Sequence, residues 1–291
     1  MELFQIKRTE FNLGLKKEYK FFQISDMHIS YCDSESVDAD IKEHNRCEER
    51  WLEQKKEFAN DHNELCDDRY NMESTELFEA LLDRAKEFNP DAIILSGDIM
   101  DRITDSNIRY LKNLFSKIEI PIIYCPGNHD YMDIDHNFIN PYEIVKDFTN
   151  DPEFNIIDYG EFVLLAVDNN KSISKMQLEL LKEQIASDKK LLLVEHKPLL
   201  LGEFGDKLLS KIGSYFFMGT SKDTDTTKEY VNLVKENSDR FIAVLCGHIH
   251  FAREYKITEN LMQISTSSGL IGAGREIIIK WGNNYEVNSI S

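Results

Sequence analysis

Five short polar motifs in this chain carry side chains that bind metals or move protons. They are Asp26-Met27-His28, Gly97-Asp98, Pro126-Gly127-Asn128-His129-Asp130, His196, and Gly247-His248-Ile249-His250. Carboxylates, imidazoles and an amide oxygen suit hard or borderline cations. No thiolate joins them, which favours manganese, iron or zinc over a cysteine-bound structural zinc. Imidazole also titrates near neutrality, so a histidine outside the metal shell can move a proton. Five of the chain's eight histidines lie in these motifs. Any one of them alone would serve equally as an ordinary polar turn, so the weight falls on where they sit.

Each motif directly follows an apolar run that reads as a strand: Tyr19 to Ser25, Asp91 to Ser96, Ile120 to Cys125, Lys190 to Val194 and Phe241 to Cys246. In open α/β sheets, ligands bind beyond the carboxyl ends of the strands, so five such ends can converge on one point. Alternate residues of an extended segment face the same side. Asp26 with His28, and His248 with His250, are therefore expected to point together while Met27 and Ile249 turn inward.

The elements that must position these ends follow from periodicity. Glu73 to Phe88 and Ser106 to Lys117 have helical spacing, and strand, helix, strand, helix, strand implies parallel crossovers. Asn155 to Asp168 reads as a hairpin turning at Tyr159-Gly160, and helices are expected near Ser174 to Ala186 and Thr226 to Glu236. Strands are expected at Leu261 to Thr266, Arg275 to Trp281 and Tyr285 to Ile290, the last two joined as a hairpin through Gly282-Asn283-Asn284. The fold class is α/β. The motifs are spread from Asp26 to His250 and no Pro/Gly/Ser-rich linker divides the 291 residues, so residues 1–291 are expected to form one domain. Residues 31–72 carry thirteen Asp or Glu against six Lys or Arg. They read as a helical insertion that leaves after His28 and returns before Asp98, and so as a cap on the site, with Tyr215, Phe216 and Phe217 as candidates for the opposite wall.

A formal charge of −18 argues against an extended nucleic-acid footprint, and the basic pairs such as Lys16-Lys17 are short. No run approaches a membrane span and the N-terminus lacks a signal-peptide core, so a cytoplasmic location is expected. Five cysteines without CxxC spacing read as free thiols.

Taken in order, the motifs from Asp26 to His250 resemble the calcineurin-like metallophosphoesterase family. The resemblance implies a four-layer αββα sandwich, two β-sheets flanked by helices, and two divalent or trivalent transition-metal ions about 3.5–4 Å apart. Residue by residue, it implies Asp26, His28 and His250 on one metal, Asn128, His196 and His248 on the other, and Asp98 bridging both. His129 would protonate the leaving oxygen while a metal-bridging hydroxide attacks phosphorus in line. The carboxylate that orients His129 is Asp101 by match to the Gly-Asp-x-x-Asp-Arg motif of related protein phosphatases, here Gly97 to Arg102, with Asp130 the competing candidate. Arg102 matches their phosphate-binding arginine, and Asn128 would also touch substrate. Ile29, Ile103 and Asp130 depart from the protein-phosphatase pattern. The expected substrate is therefore a small phosphomonoester or phosphodiester; a nuclease, or a non-catalytic interaction scaffold of the same fold, is the alternative.

Overall fold

Strand β2 (Tyr19–Ile24) shows how the sequence is laid into layers. With successive side chains on opposite faces, Phe21 joins an inner core with Ile94, Phe162, Leu192 and Ile277. Phe22 and Ile24 turn the other way, onto Leu77, Phe78 and Leu81. A strand apolar on both faces must lie between two other layers. Such a strand here leaves only its carboxyl end free to carry polar chemistry.

The computed structural model describes residues 5–62, 72–147, 151–201, 210–280 and 287–290. The first sheet has the order β12 (Val287–Ile290), β1 (Gln5–Asn12), β11 (Ala273–Lys280), β2, β3 (Ala92–Leu95) and β4 (Ile122–Tyr124). The second has the order β5 (Phe154–Asp158), β6 (Phe162–Val167), β7 (Lys190–Val194), β8 (Phe241–Cys246), β10 (Leu261–Ser265) and β9 (Arg253–Thr258). Strands β2, β3 and β4 are parallel, as are β6, β7, β8 and β10, so each set delivers its carboxyl ends to one edge.

Helices cover both outer faces. On the first sheet lie α2 (Ser74–Phe88) and α3 (Asp105–Phe115), after the insertion helix α1 (Asp38–His62). The short α4 (Tyr142–Val145) follows β4, and α5 (Lys175–Ala186) and α6 (Asp225–Glu236) cover the second sheet. The sequence sets their ends. A Glu73/Glu76 capping box starts α2, and Asn89, at a left-handed φ of 53°, stops it before Pro90. The Thr104 hydroxyl accepts from the Asn107 amide to start α3.

Several expectations change. The last two strands do not pair with each other: β1 lies between them, parallel to β11 from Gln5↔Ala273 to Asn12↔Lys280 and antiparallel to β12. Long-range pairing, which gives β1 a partner along both edges, overrides the local turn signal, and residues 282–284 of that signal lie outside the described residues. Strand β9 was not anticipated, although Tyr255 and Ile257 alternate inward along it. Of the insertion, α1 takes residues 38–62, while residues 63–71 lie outside the described residues. Cys32, Cys47, Cys125 and Cys246 are free thiols; Cys66 lies outside the described residues. Among the described residues no helix is long and apolar enough to cross a membrane.

Candidate active site

The carboxyl ends of β2, β3, β4, β7 and β8 meet at one place, but not in the extended conformation that spacing suggested. Asp26, His28, Asp98, His248 and His250 all have positive φ, at 53°, 47°, 53°, 69° and 61°. The paired side chains thus converge through left-handed turns and not through strand alternation. Each costs about 1–2 kcal/mol and persists only where surroundings impose it. Here the Asp26 and His28 amides donate to the carbonyls of Gly97 and Asp98, both at 2.9 Å, lacing two strand ends together. Glycine permits the approach. A Cβ on Gly97, itself at φ +94°, would stand 2.2 Å from His196 Nδ1, and one on Gly127 would stand 2.1 Å from the Asp98 amide nitrogen.

Two groups of ligand-type atoms result. In the first, His250 Nε2 lies 3.1 Å from His28 Nε2 and 3.5 Å from an Asp26 oxygen. In the second, His196 Nε2 lies 3.1 Å from His248 Nδ1, 3.3 Å from Asn128 Oδ1 and 3.3 Å from Asp98 Oδ2. The same Asp98 oxygen is 3.8 Å from His28 Nε2 in the first group. Asp26, His28 and His250, and Asp98, His196 and His248, are each close enough together to share one cation. Two nitrogens on one ion at about 2.0–2.1 Å stand about 2.9–3.4 Å apart, so the spacing fits a metal at each place. Tautomers agree: His196 Nδ1 faces the Ser96 carbonyl at 2.8 Å, which directs Nε2 into the group.

Electrostatics favour cations here. Burial, with His129 second, brings His28 down to about 4, and burial does the same for His250 against the pull of Asp26, so both imidazoles are neutral near pH 7. Burial opposes charge on Asp98 and on His196, yet each outweighs it for the other. Asp98 is held well below the usual carboxylate range and His196 is lifted to about 9. A buried carboxylate that draws positive charge so strongly suits a metal ion.

His129 stands beside both groups, its ring edge-on to His28 with centroids 4.5 Å apart. It also lies within metal-sharing distance of His28 and Asp98. Its Nδ1 is 3.2 Å from Asp101 Oδ1. The Asp130 oxygens instead accept from the backbone amides of Met100 and Gly127, at 2.9 and 2.7 Å, so this carboxylate ties loops together. Arg102 is only 3% exposed, sits before α3 and not on a surface helix, and brings Nη1 to 2.8 Å from His129 Nδ1.

Helix α1 covers this corner. Trp51 lies over His28 with ring centroids 4.2 Å apart, and 5.7 Å from the His250 ring. Cys47, Arg50 and Trp51 donate to Asp101, a set that none of the sequence motifs marked. Their i, i+3, i+4 spacing on a predicted helix was the available signal. On the other side, Tyr215 and Phe216 place their rings 5.8 and 5.3 Å from His248, whereas Phe217 turns inward onto Ile249.

A model of the calcineurin-like phosphoesterase family matches residues 19–252. A curated relative from Arcobacter nitrofigilis, a probable glycerophosphodiester phosphodiesterase (GpdQ), is 25% identical over 173 residues; the match covers 55% of this chain and 57% of the relative. Among solved structures, a dimetal phosphatase from Danio rerio superposes with a TM-score of 0.50 at 12% identity, covering 87% of this chain and 88% of that one. A Staphylococcus aureus protein assigned as a 5'-nucleotidase gives 0.52 at 10% identity, covering 94% and 53%. Likeness at such low identity shows a shared fold, two sheets flanked by helices, and says nothing of substrate. The matched span takes in every strand-end motif, and on that ground the chain belongs to the calcineurin-like phosphoesterase family.

Proposed function

We propose that this chain is a dinuclear metal-dependent hydrolase of a small phosphate ester, working as one domain with α1 as its cap. The observation that carries the reading is Asp98 Oδ2, which lies between His28 Nε2 and His196 Nε2 and so joins the two ligand groups. Asp26, His28 and His250 would hold one cation, Asn128, His196 and His248 the other, and Asp98 would be shared, the metals being manganese, iron or zinc. When bound, such a pair supplies Lewis acidity and an activated water. The remaining chemistry belongs to side chains. Asp101 at His129 Nδ1 fixes the ring so that Nε2 is presented to the leaving oxygen, to which His129 gives its proton. Asn128 and Arg102 are the candidate donors to phosphoryl oxygens. The Arcobacter relative is named for a glycerophosphodiester, which makes a small alkyl phosphodiester the first substrate to test. The net charge of −18 supports a small substrate over nucleic acid.

The test is a manganese-supplemented panel of alkyl and nitrophenyl phosphomonoesters and phosphodiesters with the native chain and His129→Ala. The variant should keep its metals and lose about 10²–10⁴-fold on an alkyl ester, with a much smaller loss on a nitrophenyl ester, whose leaving group needs no proton. Full activity on the alkyl ester, or loss of metal, would falsify the assignment.

A further inference from the structure

Asp101 is approached from two directions. From the site come His28 Nδ1 and His129 Nδ1, at 3.3 and 3.2 Å from Oδ1. From α1 come three donors on one helix face: Cys47 Sγ to Oδ2 at 2.7 Å, Arg50 Nη2 to Oδ1 at 2.6 Å and Trp51 Nε1 to Oδ1 at 3.0 Å. Asp101 and Cys47 are fully buried and Trp51 is 5% exposed, while the Arg50 side chain keeps 28% of its surface, so Asp101 itself is cut off from water.

The terminal torsion of an aspartate is broad, and a carboxylate held only by two histidines could rotate either oxygen toward them. Donors on both oxygens from one rigid helix remove that freedom. Arg50 also supplies the charge that a buried carboxylate needs, and its guanidinium stacks 4.4 Å from the Trp51 ring, which fixes both side chains.

We propose that Arg50, Trp51 and Cys47 are positioning residues for His129, acting through Asp101, so that the insertion helix belongs to the proton-transfer apparatus and is not merely a wall facing substrate. The inference rests on His129 being the proton donor of the preceding subsection. A rival use of the same corner is a third cation held by Glu43, Cys47 and Asp101, whose ligand-type atoms lie close together. Fixed guanidinium groups already occupy that role. Arg46 pairs with Glu43, Arg102 Nε lies 3.8 Å from Glu43, and Arg50 pairs with Asp101. Burial, then Asp101, also pushes the Cys47 thiol up, away from the thiolate that a metal would take.

The experiment is a double-variant cycle in the full chain, with metal content measured throughout and an alkyl and a nitrophenyl ester as substrates. Arg50→Met should lower kcat on the alkyl ester by about 10- to 100-fold, leave KM and metal content unchanged, and cost far less on the nitrophenyl ester. Arg50→Lys should recover part of the loss. In a His129→Ala background, Arg50→Met should add nothing, because the group it positions is gone. Trp51→Phe, which keeps the ring and removes the donor, should repeat the pattern more weakly and carries the test should Arg50→Met not fold. Losses that multiply in the double variant, equal losses on both esters, loss of metal, or unchanged kcat would overturn the proposal. If His129→Ala itself costs nothing on the alkyl ester, the proton-donor assignment falls and this inference with it; multiplying losses beside an impaired His129→Ala sink this inference alone.

Discussion

The two sheets send unequal ends to the site. The first sheet, through β2, β3 and β4, supplies all the carboxylates, the amide of Asn128, and His129, and its corner is sealed by α1 with Trp51 over His28. The second sheet, through β7 and β8, supplies imidazoles alone: His196, His248 and His250. Beside His248 stands Tyr215, 62% exposed. On the proposed reading, one half holds the carboxylates and moves the proton in a closed corner, while the other adds imidazoles and an open aromatic edge. Proton transfer and aromatic contact thus fall on different strands, and variants can separate them.

The largest effect should come from the residue that reaches both ligand groups, Asp98. Asp98→Ala is expected to abolish turnover on every ester and to deplete both metals, read by metal analysis of the purified protein. Retention of one full equivalent of metal with measurable activity would show that the two ligand groups bind independently. A smaller effect is expected on the open side. Tyr215→Ala should raise KM for an ester with a planar aromatic leaving group by roughly five-fold, in keeping with about 1 kcal/mol for a ring contact, while KM for an alkyl ester and kcat for both stay put. Equal changes for both esters would remove recognition from this wall.

The smallest effects concern helix caps, where the halves should differ in activity and agree in stability. Thr104 caps α3 of the first sheet and Thr224 caps α6 of the second, each accepting from an amide three residues on. Replacing either by Ala should cost about 1 kcal/mol, seen as a Tm lower by about 2–4 °C. Only Thr104→Ala should also reduce turnover, by about two- to three-fold, because Asn107 in the first turn of α3 holds the Arg102 carbonyl at 2.7 Å. An activity loss in Thr224→Ala of the same size would blur the distinction between the two edges.

Much of this site is legible in the chain because its signal is local. An apolar run followed at once by Asp-x-His or Gly-Asp names both the strand and the group at its end, and the same reading placed α2, α3, α5 and α6 near their observed bounds. What stayed hidden is non-local or conformational. The three donors of α1 act on a carboxylate that lies 50 to 54 residues away in sequence. The left-handed turns at Asp26, His28, Asp98, His248 and His250 are uncommon even for Asp and His, which enter that region more readily than most types, and the close packing of strand ends holds them there. The placement of β1 between β11 and β12 likewise depends on partners from opposite ends of the described chain.

That placement has a consequence for how the protein is made. Both β1 and β2 take β11 as a neighbour, Gln5 pairing with Ala273 and Gln23 with Arg275. At about 5–20 residues per second, a ribosome needs about ten to fifty seconds to travel from the first pair of strands to the third. Through that interval β2 holds β3 along one edge at most, and the loops bearing Asp26 and His28 hang from an unfinished sheet. The metal capture proposed for those loops would therefore wait for β11 to be made, and a nascent chain stalled before residue 273 should present exposed strand edges to chaperones.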